Sequence, residues 1–122
     1  MRTRLVALVA VLAWLVVATP TLAGGLSFLG LLRDGAGDVD GLAGGLDLVV
    51  SPDGAHVYVA GGDDDAVAIF ARTAATGALA LAGVVRDGVD GVTDMRVPDA
   101  LAVGVDGAHV YVTSRERGAL PV

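Results

Sequence analysis

Thirteen aspartates, one glutamate, eight arginines and two histidines carry nearly all the chemistry available to this chain of 122 residues, which has no lysine and no cysteine. The acids come in groups. Asp34, Asp38 and Asp40 precede Gly41, and Asp63, Asp64 and Asp65 follow a pair of glycines. Clustered carboxylates offer the hard oxygen donors that calcium prefers, so Asp34, Asp38 and Asp40 form a candidate calcium set. Neither group has the alternating spacing and closing glutamate of an EF-hand loop, and the plainer reading is a solvated acidic loop. His56 and His109 invite a general-base reading. Each follows an Asp-Gly turn, Asp53-Gly54 or Asp106-Gly107, and each has a tyrosine two residues on, Tyr58 or Tyr111. Strand periodicity puts that tyrosine on the face of its histidine, and a pair that recurs this way reads as packing and turn structure. Arg33 and Arg86 each precede Asp-Gly, an arrangement suited to an anion or to an Arg–Asp pair pinning the loop. Ser27, Ser51 and Ser114 are the only serines, and none lies in a Gly-x-Ser-x-Gly elbow. No catalytic residue can be named, and whether the chain is an enzyme stays open at this point.

Composition removes several classes. Without cysteine there is no disulfide, thiol nucleophile or cysteine zinc site. Without lysine there is no Schiff base. A formal charge of −6 excludes nucleic acid as an expected partner, since phosphate binding needs a basic surface. No motif requires a cofactor, and calcium is the one ion the acids invite.

The first 23 residues read as an export signal helix. Arg2 and Arg4 precede an apolar run at 5–18, Thr19-Pro20 breaks it, and Thr21-Leu22-Ala23 supplies small residues for cleavage after Ala23. Fourteen helical residues rise about 21 Å, short of a hydrocarbon core of about 30 Å, so a membrane anchor is the weaker alternative. Contact with a membrane is expected only through this segment before cleavage, and the product is expected outside the cytoplasm, secreted or periplasmic.

The remainder repeats itself. Displaced by 53 positions, residues 24–69 match 77–122 at 17 of 46 positions, including Gly54-Ala-His-Val-Tyr-Val59 with Gly107-Ala-His-Val-Tyr-Val112. A repeat of this length predicts units that bury their faces against one another. Within a unit, strands are predicted at 46–51, 56–60, 66–71 and 78–85, separated by Gly/Asp turns. They are apolar on both faces, as in a sheet covered on both sides. The fold class is therefore all-β, with four-stranded antiparallel sheets stacked as propeller blades.

The run from Val50 to Gly88, with its Ser-Pro-Asp-Gly turn, its His-Val-Tyr-Val strand and its Ala-Thr-Gly-Ala-Leu segment, resembles a blade of the lactonase-type β-propellers. That group includes 6-phosphogluconolactonase-like proteins and surface propellers with a Tyr-Val-Thr-Asn repeat. Tyr111-Val112-Thr113-Ser114 departs from that repeat by one residue. The resemblance covers essentially all of 24–122 and implies a ring that commonly has seven blades.

On that basis 24–45 is expected to be an outer strand and link, 46–97 a complete blade and link, and 98–122 a truncated blade. Residues 24–32 align with a fourth strand, and 101–122 supply two strands and the start of a third. Pro121 falls inside that third strand, where it costs a ladder hydrogen bond. Two blades cannot close a ring, so further blades are expected, either missing C-terminal ones or those of other copies. Strand alternation puts the turns at 52–54 and 73–77 at one end. The loop at 61–65 and the links at 33–45 and 86–97 lie at the other. That second end gathers Asp34, Asp38, Asp40, Asp63, Asp64, Asp65, Asp87, Asp90 and Asp94, with Arg33, Arg86 and Arg96. Loops at one end of a rigid scaffold are where binding resides. The resulting expectation is an exported binding or surface module for a small molecule or protein. A lactone hydrolase, active when the ring is complete, and an inactive truncated product are the alternatives.

Overall fold

A computed structural model describes residues 27–116 and 122. The signal segment and the third strand of the second unit, with Pro121, lie outside the described residues. Six strands follow in order: β1 (Gly45–Val50), β2 (His56–Gly61), β3 (Ala66–Arg72), β4 (Leu79–Arg86), β5 (Pro98–Val103) and β6 (Val110–Ser114). β1 to β4 form one antiparallel sheet in chain order, and β5 and β6 form an antiparallel pair. The predicted strands of the first unit are present, with ends displaced by a residue. β5 begins at Pro98 rather than Leu101, because Pro98 pairs with Ser114 at the first position of the strand, where its missing N–H costs little. Residues 27–32, which the repeat aligns with β4, form no ladder and are exposed. A strand conformation needs a neighbour to bond with, and no described strand pairs with this segment, although Leu29 lies close to Gly77 at the foot of β4.

The repeat holds at the level of register. Leu48 pairs with Val59 and Leu101 with Val112, Val49 with Tyr58 and Ala102 with Tyr111, Val50 with Val57 and Val103 with Val110. Both hairpins slip register at the same place, between Gly45 and Asp47 and between Pro98 and Ala100. The links agree as closely. Leu42 N–H donates to Asp34 Oδ1 at 3.0 Å, and Met95 N–H to Asp87 Oδ1 at 2.9 Å, 53 residues on. Left-handed backbone recurs at Gly35 and Gly88, Gly37 and Asp90, Gly41 and Asp94, and Gly44 and Val97.

The sheet has two apolar faces because its strands carry few polar residues in either alternation. On the front face Val57, Ala68 and Phe70 are buried, with Val59, Leu79 and Leu81 around them and Val39 and Leu42 of the first link packed on top. On the back face Val67 is buried against Met95 of the second link and Val112 of β6, with Tyr58, Val92, Leu101 and Val110 completing the layer. A hydrogen bond crosses this layer, from Leu101 N–H to Asp47 Oδ2 at 2.7 Å. The back face is therefore covered by the second hairpin. Among the described residues the front face is covered in part, chiefly by the first link, which leaves Leu48 56% and Val50 45% exposed.

Candidate functional site

The two ends of the sheet are built differently. At one end the β1–β2 turn is held by its own side chains. The Ser51 hydroxyl donates to Asp53 Oδ1 at 2.5 Å, Ala55 N–H donates to the same oxygen at 2.9 Å, and His56 N–H donates to Ser51 Oγ at 3.0 Å. The hydroxyl first, and then the Ala55 amide, hold the Asp53 carboxyl below the ordinary aspartate range. Arg72 Nη1 donates to Gly54 O at 3.0 Å, tying this turn to the end of β3. In the second copy Ala108 N–H donates to Asp106 Oδ1 at 3.0 Å, while Gly104 stands where Ser51 is. The ring of His56 lies 6.3 Å from that of Tyr58, and His109 lies 6.4 Å from Tyr111. Each pair shares a face, as the two-residue spacing requires. Tyr58 packs between sheet and hairpin, whereas Tyr111 is 38% exposed.

The other end is the acidic rim, where the β2–β3 loop meets both links. The Asp64 carboxylate accepts Ala43 N–H at 3.0 Å, and Asp65 Oδ1 accepts Val97 N–H at 2.8 Å. Asp65 O accepts Asp87 N–H at 2.9 Å. One three-residue run thus anchors the first link through Asp64 and the second through Asp65. Arg86 leaves the end of β4 to meet Asp40 Oδ2 at 2.9 Å and Asp64 O at 3.3 Å. Its carboxylate partner lies 46 residues away rather than next door; the adjacent Asp87 is engaged by Met95 N–H. Arg96 lies 3.9 Å from Asp65 and 3.5 Å from Glu116. Arg33 is exposed beside a groove that Leu42, Leu48 and Phe70 also line.

The candidate calcium set is rearranged. Asp34, Asp40 and Asp64 bring one carboxylate oxygen each within 4.8 Å of one another, and Asp38 is not of that group. Asp64 joins because the β2–β3 hairpin folds its loop against the first link, a proximity that spacing along the chain does not show. Each of the three is already engaged: Asp34 by Leu42 N–H, Asp40 by Gly41 N–H and Arg86, Asp64 by Ala43 N–H. What these carboxylates do in this structure is fasten loops. Asp38, Asp63, Asp90 and Asp94 are exposed on the same end.

Three residues that the sequence did not single out matter here. Met95, 2% exposed, is driven from the second link into the layer between sheet and hairpin, as Leu42 is on the front face. The signal was a pair of apolar positions, Val39 with Leu42 and Val92 with Met95, that recurs at the repeat spacing inside two links rich in Gly and Asp. Asp47 supplies the cross-layer hydrogen bond. Asp99 accepts the Thr113 hydroxyl at 2.6 Å and faces Arg115 at 3.5 Å, and these contacts, Thr113 foremost, lower its carboxyl from the ordinary range.

No protein-family model matches the chain, and no curated protein emerges as a relative. Solved structures do match. A protein from Lactobacillus plantarum is 27% identical with a TM-score of 0.59, over 81% of this chain and 31% of that one. A Bacteroides fragilis protein described as a "putative 6-phosphogluconolactonase" is 23% identical with a TM-score of 0.51, over 63% of this chain and 23% of that one. The chain thus spans less than a third of the length of each neighbour. These likenesses establish a shared fold, and a shared fold leaves activity to be argued from the site.

Proposed function

We propose that this chain is part of an exported β-propeller whose acidic rim binds a cationic ligand or a basic protein surface. The observation that carries this reading is the collection of nine aspartates against three arginines on one end of the sheet, in loops pinned by backbone-to-carboxylate hydrogen bonds and an ion pair. Pinned loops present their exposed carboxylates in a set geometry, which lowers the ordering cost of binding. An end dominated by negative charge attracts cations and repels anions before contact. Export rests on the pattern of residues 1–23, and the propeller on the face-to-face stacking of two units in one register.

The test is salt-dependent binding. An oligolysine peptide titrated onto the full chain is expected to bind at low ionic strength and to weaken as salt rises, since exposed charges are screened over about 10 Å at 0.1 M. Asn at Asp38, Asp63 and Asp90 together is expected to weaken binding at least about tenfold, leaving the fastening carboxylates intact. No binding at low salt overturns the reading.

A second reading is favoured by the fold shared with the Bacteroides fragilis protein: hydrolysis of sugar-acid lactones by a complete ring. A phosphorylated lactone is an anion, and the charge of this rim opposes its approach. Turnover of 6-phosphogluconolactone by the protein, with no affinity for the cationic peptide, decides for the hydrolase. Export has its own check: the secreted product is expected to begin at Gly24 by intact mass.

A further inference from the structure

Two surfaces are left partly uncovered among the described residues, the front face of β1–β2 and the outer face of the second hairpin, and the repeat makes them halves of one joint. The joint that is formed lies behind the sheet. There β5 and β6 turn Leu101, Val110 and Val112 toward Tyr58 and Val67, and the second link inserts Val92 and Met95. Displaced by 53, the same parts stand on the front face. Leu48, Val57 and Val59 occupy the positions of Leu101, Val110 and Val112, and Val39 and Leu42 already sit where Val92 and Met95 do. Only the tyrosine side of that joint is missing. The outer face of the hairpin presents its tyrosine: Tyr111, at the position of Tyr58, is 38% exposed, while the counterpart of Val67 lies outside the described residues.

We infer that the front face of β1–β2 receives the Tyr111 face of a second copy of this chain, head to tail. The inference rests on the register of the repeat and on the existing sheet–hairpin packing, and is independent of what the rim binds. A joint built from two different patches leaves one patch open at each end, so it propagates to a closed ring or an open string. It is weaker than its internal template. Ala100 stands where Asp47 accepts the cross-layer hydrogen bond, and Ala102 replaces Val49. Association is therefore expected to depend on concentration.

The experiment is sedimentation of the full chain with Leu48→Asp and Tyr111→Asp, singly and mixed. Both side chains are substantially exposed, so both variants are expected to keep their strand circular dichroism; should Tyr111→Asp lose it, Tyr111→Ser replaces it. The unaltered chain is expected to associate beyond dimers as concentration rises to about 100 μM. Each variant alone is expected to dissociate at least about tenfold more readily. An equimolar mixture is expected to form dimers and stop there, because one variant keeps the receiving half and the other the inserting half. A chain monomeric throughout the range, association untouched by either substitution, or a mixture that behaves as its parts overturns the inference. Association that survives both substitutions points instead to the apolar segment at 5–18.

Discussion

At the scale of single residues the structure separates side chains that hold loops from those that face outward. Arg86 is the clearest holder, bridging Asp40 and the loop carbonyl of Asp64. Its side chain is 35% exposed and that of Asp40 is 61%, so solvent screens the pair. Arg86→Gln is expected to cost about 0.5–1 kcal/mol by urea midpoint, with the loss shrinking at high salt. Val97 is the clearest strain. It adopts φ +49° where the first copy has Gly44 at +63°, and a β-branched side chain disfavours that region. Val97→Gly is expected to stabilise the chain by about 1 kcal/mol, the relieved strain exceeding the added backbone entropy. Asp53 and Asp99 are both held below the ordinary aspartate range by hydrogen bonds to hydroxyls. A carboxyl with a depressed folded pKa stabilises the fold above its unfolded value, near 4, and that contribution is lost as pH falls through the folded value. Thermal stability is expected to be flat from neutral pH to about 5 and to fall below it, and less steeply in Asp53→Asn.

At the scale of elements the links do more than connect. Each packs two apolar side chains into a layer, Val39 and Leu42 on the front face and Val92 and Met95 behind the sheet. Met95→Ala is expected to cost about 2–4 kcal/mol, a large value for a link residue, because it opens a cavity between sheet and hairpin. The equivalent change at Leu42 is expected to cost less, since the front layer has one wall and the void fills with water. The closest approach lies at the end of β2, where a Cβ on Gly61 would run into the Gly41 carbonyl oxygen. Gly61→Ala is expected to cost about 3 kcal/mol or more, because backbone rather than a flexible side chain would have to move.

At the scale of the whole molecule one tyrosine is packed in the layer between sheet and hairpin, half-buried, and its repeat is exposed. Tyr58→Ala is expected to destabilise the fold at every concentration. Tyr111→Ala is expected to leave the stability of dilute protein within about 0.5 kcal/mol and to act on association alone. Melting curves at two concentrations distinguish them. A like asymmetry governs the faces of the sheet: both are apolar, but one is covered by the second hairpin and the other leaves Leu48 and Val50 substantially exposed.

The sequence by itself determined the strands of the first unit, their antiparallel order and the identity of the two hairpins. These depend on local alternation, on turns such as Ser51-Pro52-Asp53-Gly54, and on a repeat whose equal residues demand equal conformations. It also placed the acids at one end, because strand direction alternates whatever the packing. Tertiary structure alone decided which acids meet. Asp64 replaced Asp38 beside Asp34 and Asp40 because a loop folds across from the next hairpin, and Arg86 chose Asp40 over its neighbour Asp87 for the same reason. It decided too that residues 27–32 form no strand, since a ladder requires a partner in space. That Tyr58 is half-buried and Tyr111 exposed follows from the neighbour each finds, and a repeated sequence carries no record of which copy has one.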